Sequence, residues 1–280
     1  MRIATWNIWN SDAGMPSRAM QLQLEITNIN ADIICLQEVK NLAILKKLNE
    51  KPKYPYSVFL NHPNEEEGQS VLSRYPLSDA QYLNGSMLAT ANTPYGRIAF
   101  VNVHLSWESA LQREKQIIEA EKTISQIKAD YRLILGDFNC SSFSNVHQFL
   151  LGQASLRGNE AKPVWYDLAE SYACKTNITP DITLDFQNNP RWQGQNILDT
   201  NQRFDRILLQ NPYPCNPPMI IECKSFGKNI PPMSGLTPSD HYGIYVDLKF
   251  KKQSIQRESS QTPSQGCAHN GVMIAKKRNI

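Results

Sequence analysis

Residues Tyr131 to Asn139 read YRLILGDFN, an apolar run closed by a glycine, an acid, an aromatic and an amide. A strand apolar on both faces belongs to a sheet that is covered on both sides. Gly136 permits a tight turn after the strand, and alternation places Asp137 and Asn139 on one side with Phe138 facing away. A carboxylate and an amide aimed at one point suit a water nucleophile and a phosphate oxygen: the acid accepts the proton of the water and the amide donates to the anion. A purely structural turn would use the same residue types, so the rest of the chain must decide.

Working outward, the pattern recurs. IATWNI and DIICLQEV read as strands that deliver Asn7 and Glu38, and RIAFVNVHL delivers His104 with Asn102 on the same face. RFDRILLQ carries Asp205 inside an apolar run, and TPSDHYG sets Asp240 and His241 at the mouth of the strand YGIYVDLKF. A carboxylate at the end of a buried strand is expensive to desolvate unless paired, and a hard divalent cation is the strongest partner for Glu38. An Asp such as Asp205 that accepts from one imidazole nitrogen raises the basicity of the other.

Helices are expected near Ser17–Ile29, with Met20, Leu24 and Ile26 on one face, at NLAILKKLNE, and over Ala110–Lys128, where Leu111, Ile117, Ile118, Ile124 and Ile127 fall at helical spacing. Further strands are expected at YSVFL, QSVLS, ITLDF and MIIECKSF, with a hairpin between SMLATA and RIAFVNVHL across the turn NTPYG. Residues 188–201 read as a long surface loop, a frequent carrier of function.

The composition, 41% hydrophobic and 20% charged, is that of a chain that can bury a core. The six cysteines show no CxxC pair and no zinc-ligand spacing, so reduced, structural thiols are expected. No apolar run spans a bilayer and MRIATWNIW resembles no signal segment, so a cytoplasmic, monomeric protein without stable membrane association is the expectation. Residues 251–280 hold six of the 29 Lys and Arg against one of the 26 acids, which leaves the body slightly acidic at 23 against 25. That tail has the Ser/Gln-rich composition of a disordered segment, and the division expected is a catalytic domain over 1–250 followed by a basic tail.

Taken in order, TWNIWN, LQEV, VNVHL, LGDFN, RFDRILL and PSDHYG resemble the motifs of the endonuclease/exonuclease/phosphatase family of metal-dependent phosphodiesterases. The resemblance runs from residue 2 to about residue 249 and implies an α/β fold, a four-layer α/β sandwich with two central mixed β-sheets flanked by helices. It implies Glu38 as the main ligand of Mg²⁺ or Mn²⁺, with Asn7 and Asp240 in the metal and phosphate site. Asp137 would orient or deprotonate the attacking water, Asn139 would hold it or a phosphate oxygen, and His104 would donate to a nonbridging oxygen. His241, oriented by Asp205, would be the acid/base partner or charge stabiliser.

Within the family the sequence is most similar to the 5′-tyrosyl-DNA phosphodiesterase branch, which implies a DNA-repair enzyme with DNA ends as partner. HLSWES with Arg113 and Gln116, RFDRI and PSDHYG carry that similarity. Two departures bear on the substrate: Ser106 and Trp107 intervene before Glu108 and Ser109, and Phe138 stands where a small polar residue is usual. Alternatives within the family are a sphingomyelin or inositol phosphate hydrolase and a non-specific or apurinic-site endonuclease; outside catalysis, a binding module is disfavoured because every motif position holds a competent residue. In DFQNNPRWQGQN, Arg191 and Trp192 are the expected substrate contacts, one for a phosphate and one for stacking. A Trp that pins its own loop is the plain alternative.

Overall fold

The computed structural model describes residues 1–50, 53–194, 198–232 and 234–251. In chain order the elements are β1 (Arg2–Asn7), α1 (Ser17–Ile29), β2 (Ile33–Val39), α2 (Leu42–Leu48), β3 (Tyr56–Asn61), β4 (Gly68–Ser73), β5 (Leu77–Leu83), β6 (Ser86–Thr93) and β7 (Gly96–His104). They continue with α3 (Ala110–Gln126), β8 (Tyr131–Asp137), α4 (Asn145–Leu150), β9 (Trp165–Asp167), α5 (Leu168–Thr176), β10 (Asp205–Gln210), β11 (Met219–Phe226) and β12 (Gly243–Lys249).

Two six-stranded sheets result, ordered β11-β12-β1-β2-β4-β3 and β5-β6-β7-β8-β10-β9. Each is mixed: β1 runs parallel to β2 and β7 parallel to β8, while the remaining neighbours are antiparallel. One core lies between the sheets, where Ile33, Cys35, Phe100, Leu133, Leu135 and Val246 pack. Two further cores lie outside them, one under α1 and α2 and one under α3 and α4. That is the expected four-layer α/β sandwich.

This topology explains why strand ends carry the chemistry. The parallel pairs bring the carboxyl ends of β1, β2, β7 and β8 to one edge, and the antiparallel β10 and β12 bring their amino ends there too. Asp205 accordingly pairs with Asp137 across β10 and β8, and Thr5 pairs with Ile244 across β1 and β12. Below the edge a polar layer ties the sheets together. Gln37 donates to Thr5 Oγ1 and Asn102 Oδ1, and Asn102 donates to the carbonyls of Leu36 and Ser70, all of these side chains being buried.

Several sequence expectations are corrected. Helix α1 buries Ala19, Leu22, Ile26 and Ile29, spaced three, four and three apart, while Met20 and Leu24 are 60% and 51% exposed. The stripe was displaced because Arg18 also belongs to the buried face: its guanidinium donates to the carbonyls of Ile8, Trp9, Ser11 and Pro238. Leu111 in α3 is likewise exposed. ITLDF is no strand; only Leu184 bridges, to Gln202, and Thr183 turns its hydroxyl to accept from the Phe204 and Asp205 amides. Strand β5, helices α4 and α5 and the short β9 were not anticipated; β5 is an edge strand exposed over its middle, so it lacks the apolar alternation that marks a strand.

Gly136 sits within β8 rather than in a turn after it. Its φ is +138°, and a Cβ there would stand 2.1 Å from the Val103 carbonyl oxygen, so the glycine is required by the close approach of β7. Cys35, Cys140, Cys174, Cys215 and Cys223 are free thiols, as expected. Among the described residues no helix is long and apolar enough to cross a membrane. The basic tail expected over 251–280 lies, from residue 252, outside the described residues.

Candidate active site

Asn7, at the end of β1, is the joint of the site. Its Nδ2 donates to Glu38 Oε1 at 2.8 Å and to Asp137 Oδ2 at 3.0 Å, so one buried amide aligns carboxylates from both sheets. Its Oδ1 accepts from the Trp9 backbone amide, which leaves the amide's donor side facing the two acids.

Glu38 is aimed by a β-bulge where β2 leaves register with β4 between Leu36 and Val39. Its φ is +55°, and Trp9 and Asn139 also have positive φ, +58° and +47°. Such backbone costs about 1–3 kcal/mol per residue outside glycine and persists where surrounding contacts over-determine it. Here those contacts are visible. The Asn10 amide donates to Glu38 Oε2, Asn139 N donates to Asp137 Oδ1 at 2.8 Å, and Asn139 Nδ2 donates to the Leu105 carbonyl.

His241 and Asp205 form the second functional unit. His241 Nδ1 lies 2.9 Å from Asp205 Oδ2 and its Nε2 lies 3.8 Å from Asp137 Oδ2. Burial opposes charge on this imidazole, but Asp205 and Asp137 outweigh it and hold the imidazolium well above the ordinary histidine value. Among the described residues the other Asp205 oxygen has no hydrogen-bond partner. Asp240, the residue preceding His241, accepts from the Ser239 hydroxyl. Burial, with a contribution from Glu38, pushes its carboxyl up to about 6 against the opposing His241 charge. Successive residues thus serve different neighbours, as alternation requires.

His104, at the end of β7, sets its Nε2 3.7 Å from Glu38 Oε1 and 4.0 Å from Asp137 Oδ2. The structure therefore brings together Asn7, Glu38, His104, Asp137, Asn139, Asp205, Asp240 and His241, the eight residues read from the six motifs. Arg191 and Trp192 lie on a 3-10 turn, Pro190–Trp192, in the stretch expected to be a surface loop. Much of that stretch is fastened inward instead. Asn189 is fully buried and donates to the Ser239 and Asp240 carbonyls, Trp192 Nε1 donates to the Asp240 carbonyl, and Arg191 Nε donates to the Thr237 carbonyl at 2.6 Å. The Arg191 guanidinium also covers the Trp9 ring at 4.7 Å. These contacts clamp the segment that presents Asp240 and His241.

Two neighbours escaped the sequence reading. The β3–β4 hairpin closes with the His62 amide donating to the Glu67 carbonyl, which puts both side chains at the same edge. Burial and His104 hold the His62 imidazole below its ordinary value, whereas burial raises the Glu67 carboxyl against the hydrogen bond from Asn10. The signal was present in the antiparallel pairing of YSVFL with QSVLS, but NHPNEEE between them reads as a solvated charge run. Trp107, read above only as a departure from the family pattern, and Phe143, which was passed over, are 73% and 89% exposed and ride the segments that follow His104 and Asn139.

Five carboxylates, the half-buried Glu38, Glu67 and Asp240 and the buried Asp137 and Asp205, converge on one edge. Such a concentration of negative charge is costly without a cation, and Glu38 retains lone-pair capacity beyond its two hydrogen bonds. The donor set fits an oxygen-seeking divalent ion. The arrangement as a whole can hold a cation, orient a water and donate a proton to an anion.

A family model described as the Endonuclease/Exonuclease/phosphatase family matches residues 4–241. No curated protein matches the chain in sequence. Among solved structures, the fold is similar to that of TDP2 from Caenorhabditis elegans, with a TM-score of 0.70, 17% identity and coverage of 90% of this chain and 74% of that one. It is similar to D. rerio TDP2 complexed with single strand DNA product, with a TM-score of 0.68, 17% identity and coverage of 88% and 97%. It is also similar to a beta toxin from Staphylococcus aureus, with a TM-score of 0.64, 15% identity and coverage of 89% and 100%.

Proposed function

The chain belongs to the endonuclease/exonuclease/phosphatase family, and from that premise we propose that it is a Mg²⁺- or Mn²⁺-dependent phosphodiesterase acting on nucleic acid, with 5′-tyrosyl or otherwise blocked single-stranded DNA ends as the preferred substrate. The observation that carries the reading is the convergence of Glu38, Asp137 and the Asp205–His241 pair around the Asn7 amide.

Glu38 is the principal residue to hold the ion, with Asp240 beside it and Asn7 keeping Glu38 aligned. A bound Mg²⁺ or Mn²⁺ supplies polarisation of the phosphoryl group and compensation of its charge. The protein's own groups do the rest. Asp137, fixed through both oxygens, orients the water for in-line attack and accepts its proton. Asn139 holds that acid through its backbone amide and stands beside the water. His104 donates to a nonbridging oxygen. His241, kept as an imidazolium by Asp205 and Asp137, donates to the charge that develops on the phosphoryl group.

Two observations favour a nucleic acid. Trp107 and Phe143 are exposed aromatics beside the catalytic strand ends, suited to stack on unpaired bases. One structure of similar fold was solved with single strand DNA product. Arg191 and Trp192 act here mainly through the segment they clamp, with their remaining faces lining the approach. Residues 1–250 form the catalytic unit in this reading. The test is turnover by the full chain, with Mg²⁺ and with chelator, on a 5′-tyrosyl oligonucleotide, an abasic duplex, plain single and double strands, sphingomyelin and inositol phosphates. Mg²⁺-dependent release of tyrosine in preference to the rest is expected; faster hydrolysis of the lipid or inositol substrates would move the enzyme to another branch of the family.

A further inference from the structure

We propose that His62, Glu67 and His104 form a second cation site, adjoining Glu38, that takes a borderline transition ion such as Zn²⁺ through two imidazole nitrogens and one carboxylate oxygen. Three separate strand ends supply it: His62 follows β3, Glu67 precedes β4 and His104 ends β7. The His62–Glu67 backbone bond makes these two the closing pair of their hairpin, so their positions are set by the fold rather than by a free loop. One ligand atom from each of the three residues lies within 4.8 Å of the others, and all three residues are half-buried. Ligands around a four-coordinate zinc at about 2.1 Å stand roughly 3.5 Å apart, so small side-chain rotations close the set.

The site adjoins the oxygen-rich one, with His104 Nε2 3.7 Å from Glu38 Oε1, and differs from it in ligand type. Asn10 gives its backbone amide to Glu38 Oε2 and its side-chain amide to Glu67 Oε2, which fixes one oxygen of Glu67 and leaves the other for an ion. The His62 ring is braced edge-on by Tyr82 at 5.8 Å and lies 6.5 Å from the His104 ring. Ligand type then sorts the ions: imidazole favours Zn²⁺ and its transition-metal neighbours, whereas Mg²⁺ prefers carboxylate and water. Three protein ligands leave a coordination position open, the pattern of sites that exchange water or bind an added oxygen ligand. A consequence rests on the function proposed above: an ion on His104 removes it as a donor to the phosphoryl oxygen, so Zn²⁺ antagonises the Mg²⁺-supported reaction. Binding itself does not depend on that function.

The test is titration of the metal-stripped 280-residue chain with Co²⁺, followed by visible absorption, and with Zn²⁺, followed by calorimetry, both in excess Mg²⁺ and without substrate. Wild type is expected to bind one ion with a nitrogen and oxygen ligand spectrum. The variants His62→Ala and Glu67→Gln should each lose at least about tenfold in affinity, since even groups that only orient a metal ligand are worth 10–100-fold. Their thermal unfolding in chelator should match wild type, which separates a lost ligand from a lost fold. Undiminished affinity in both variants, a sulfur-to-cobalt band that places the ion on a cysteine, or no uptake in excess Mg²⁺ would each overturn the assignment. Because no substrate is present, these outcomes stand apart from success or failure of the hydrolysis assays.

Discussion

Asp137 makes contact with more of the site than any single motif suggested: it accepts from Asn7 and from the Asn139 backbone, and faces both His104 and His241. Asp137→Asn keeps the shape and removes the proton acceptor. We expect kcat to fall roughly a hundred- to ten-thousandfold, the usual worth of a positioned acid or base, while calorimetric Mg²⁺ binding persists. A loss under tenfold would assign the proton to another group. His241 carries a prediction in pH. Its value is raised in the folded protein, so the imidazolium is present at neutral pH and is lost as pH rises through that raised value. The basic limb of the kcat profile should therefore lie well above 6.5, and Asp205→Asn should move it to lower pH because the main counter-charge is gone. A limb unmoved in Asp205→Asn would show that another group controls it.

At the scale of elements, strand ends were legible and connections were not. YRLILGDFN, DIICLQEV and RIAFVNVHL announce themselves because a fully apolar run is interrupted by an acid or imidazole at its end. The bulge that aims Glu38 was hidden, since it depends on where β4 loses register with β2. The role of Asn189 was hidden too, since a buried amide in a Pro/Asn-rich stretch looks like any surface polar residue until its partners at Ser239 and Asp240 are known. The loops after β7 and β8 carry the next prediction. If Trp107 and Phe143 stack on bases, each change to Ala should weaken single-stranded substrate by about 1–3 kcal/mol through KM, with kcat little altered on a minimal substrate. Equal KM for wild type and both variants would remove these residues from the substrate path.

At the scale of the molecule, two sheets meet at one edge, and the charge gathered there has a counterpart deeper in the second sheet. His147 is buried beside Asp167, Arg206 and Arg203, with Asp167 Oδ2 3.8 Å from its Nε2. Burial, reinforced by Arg206, pushes its imidazole down to about 4 despite the attraction of Asp167. The unfolded chain therefore takes up this proton first, and stability should be lost as pH falls from about 6.5 toward 4, by roughly 3 kcal/mol from this group alone. Denaturant midpoints across that range, compared with His147→Gln, measure the share. The overall architecture was foreseeable through the ordered motifs that resemble the family, since the apolar strands alone do not say how they pair; what could not be foreseen is that the two sheets would be joined through one amide at Asn7.

That joint is the basis of the central claim, that Glu38 and Asp137 from opposite sheets make one metal-dependent hydrolytic centre. The most direct measurement is single-turnover hydrolysis of a 5′-blocked single-stranded oligonucleotide by wild type, Glu38→Gln and Asp137→Asn, each across a Mg²⁺ titration. Hydrolysis by wild type that vanishes in chelator is predicted, with Glu38→Gln recovering in part at high Mg²⁺ and Asp137→Asn remaining slow at every concentration. Full activity in chelator, or wild-type rates in both variants, would contradict the account.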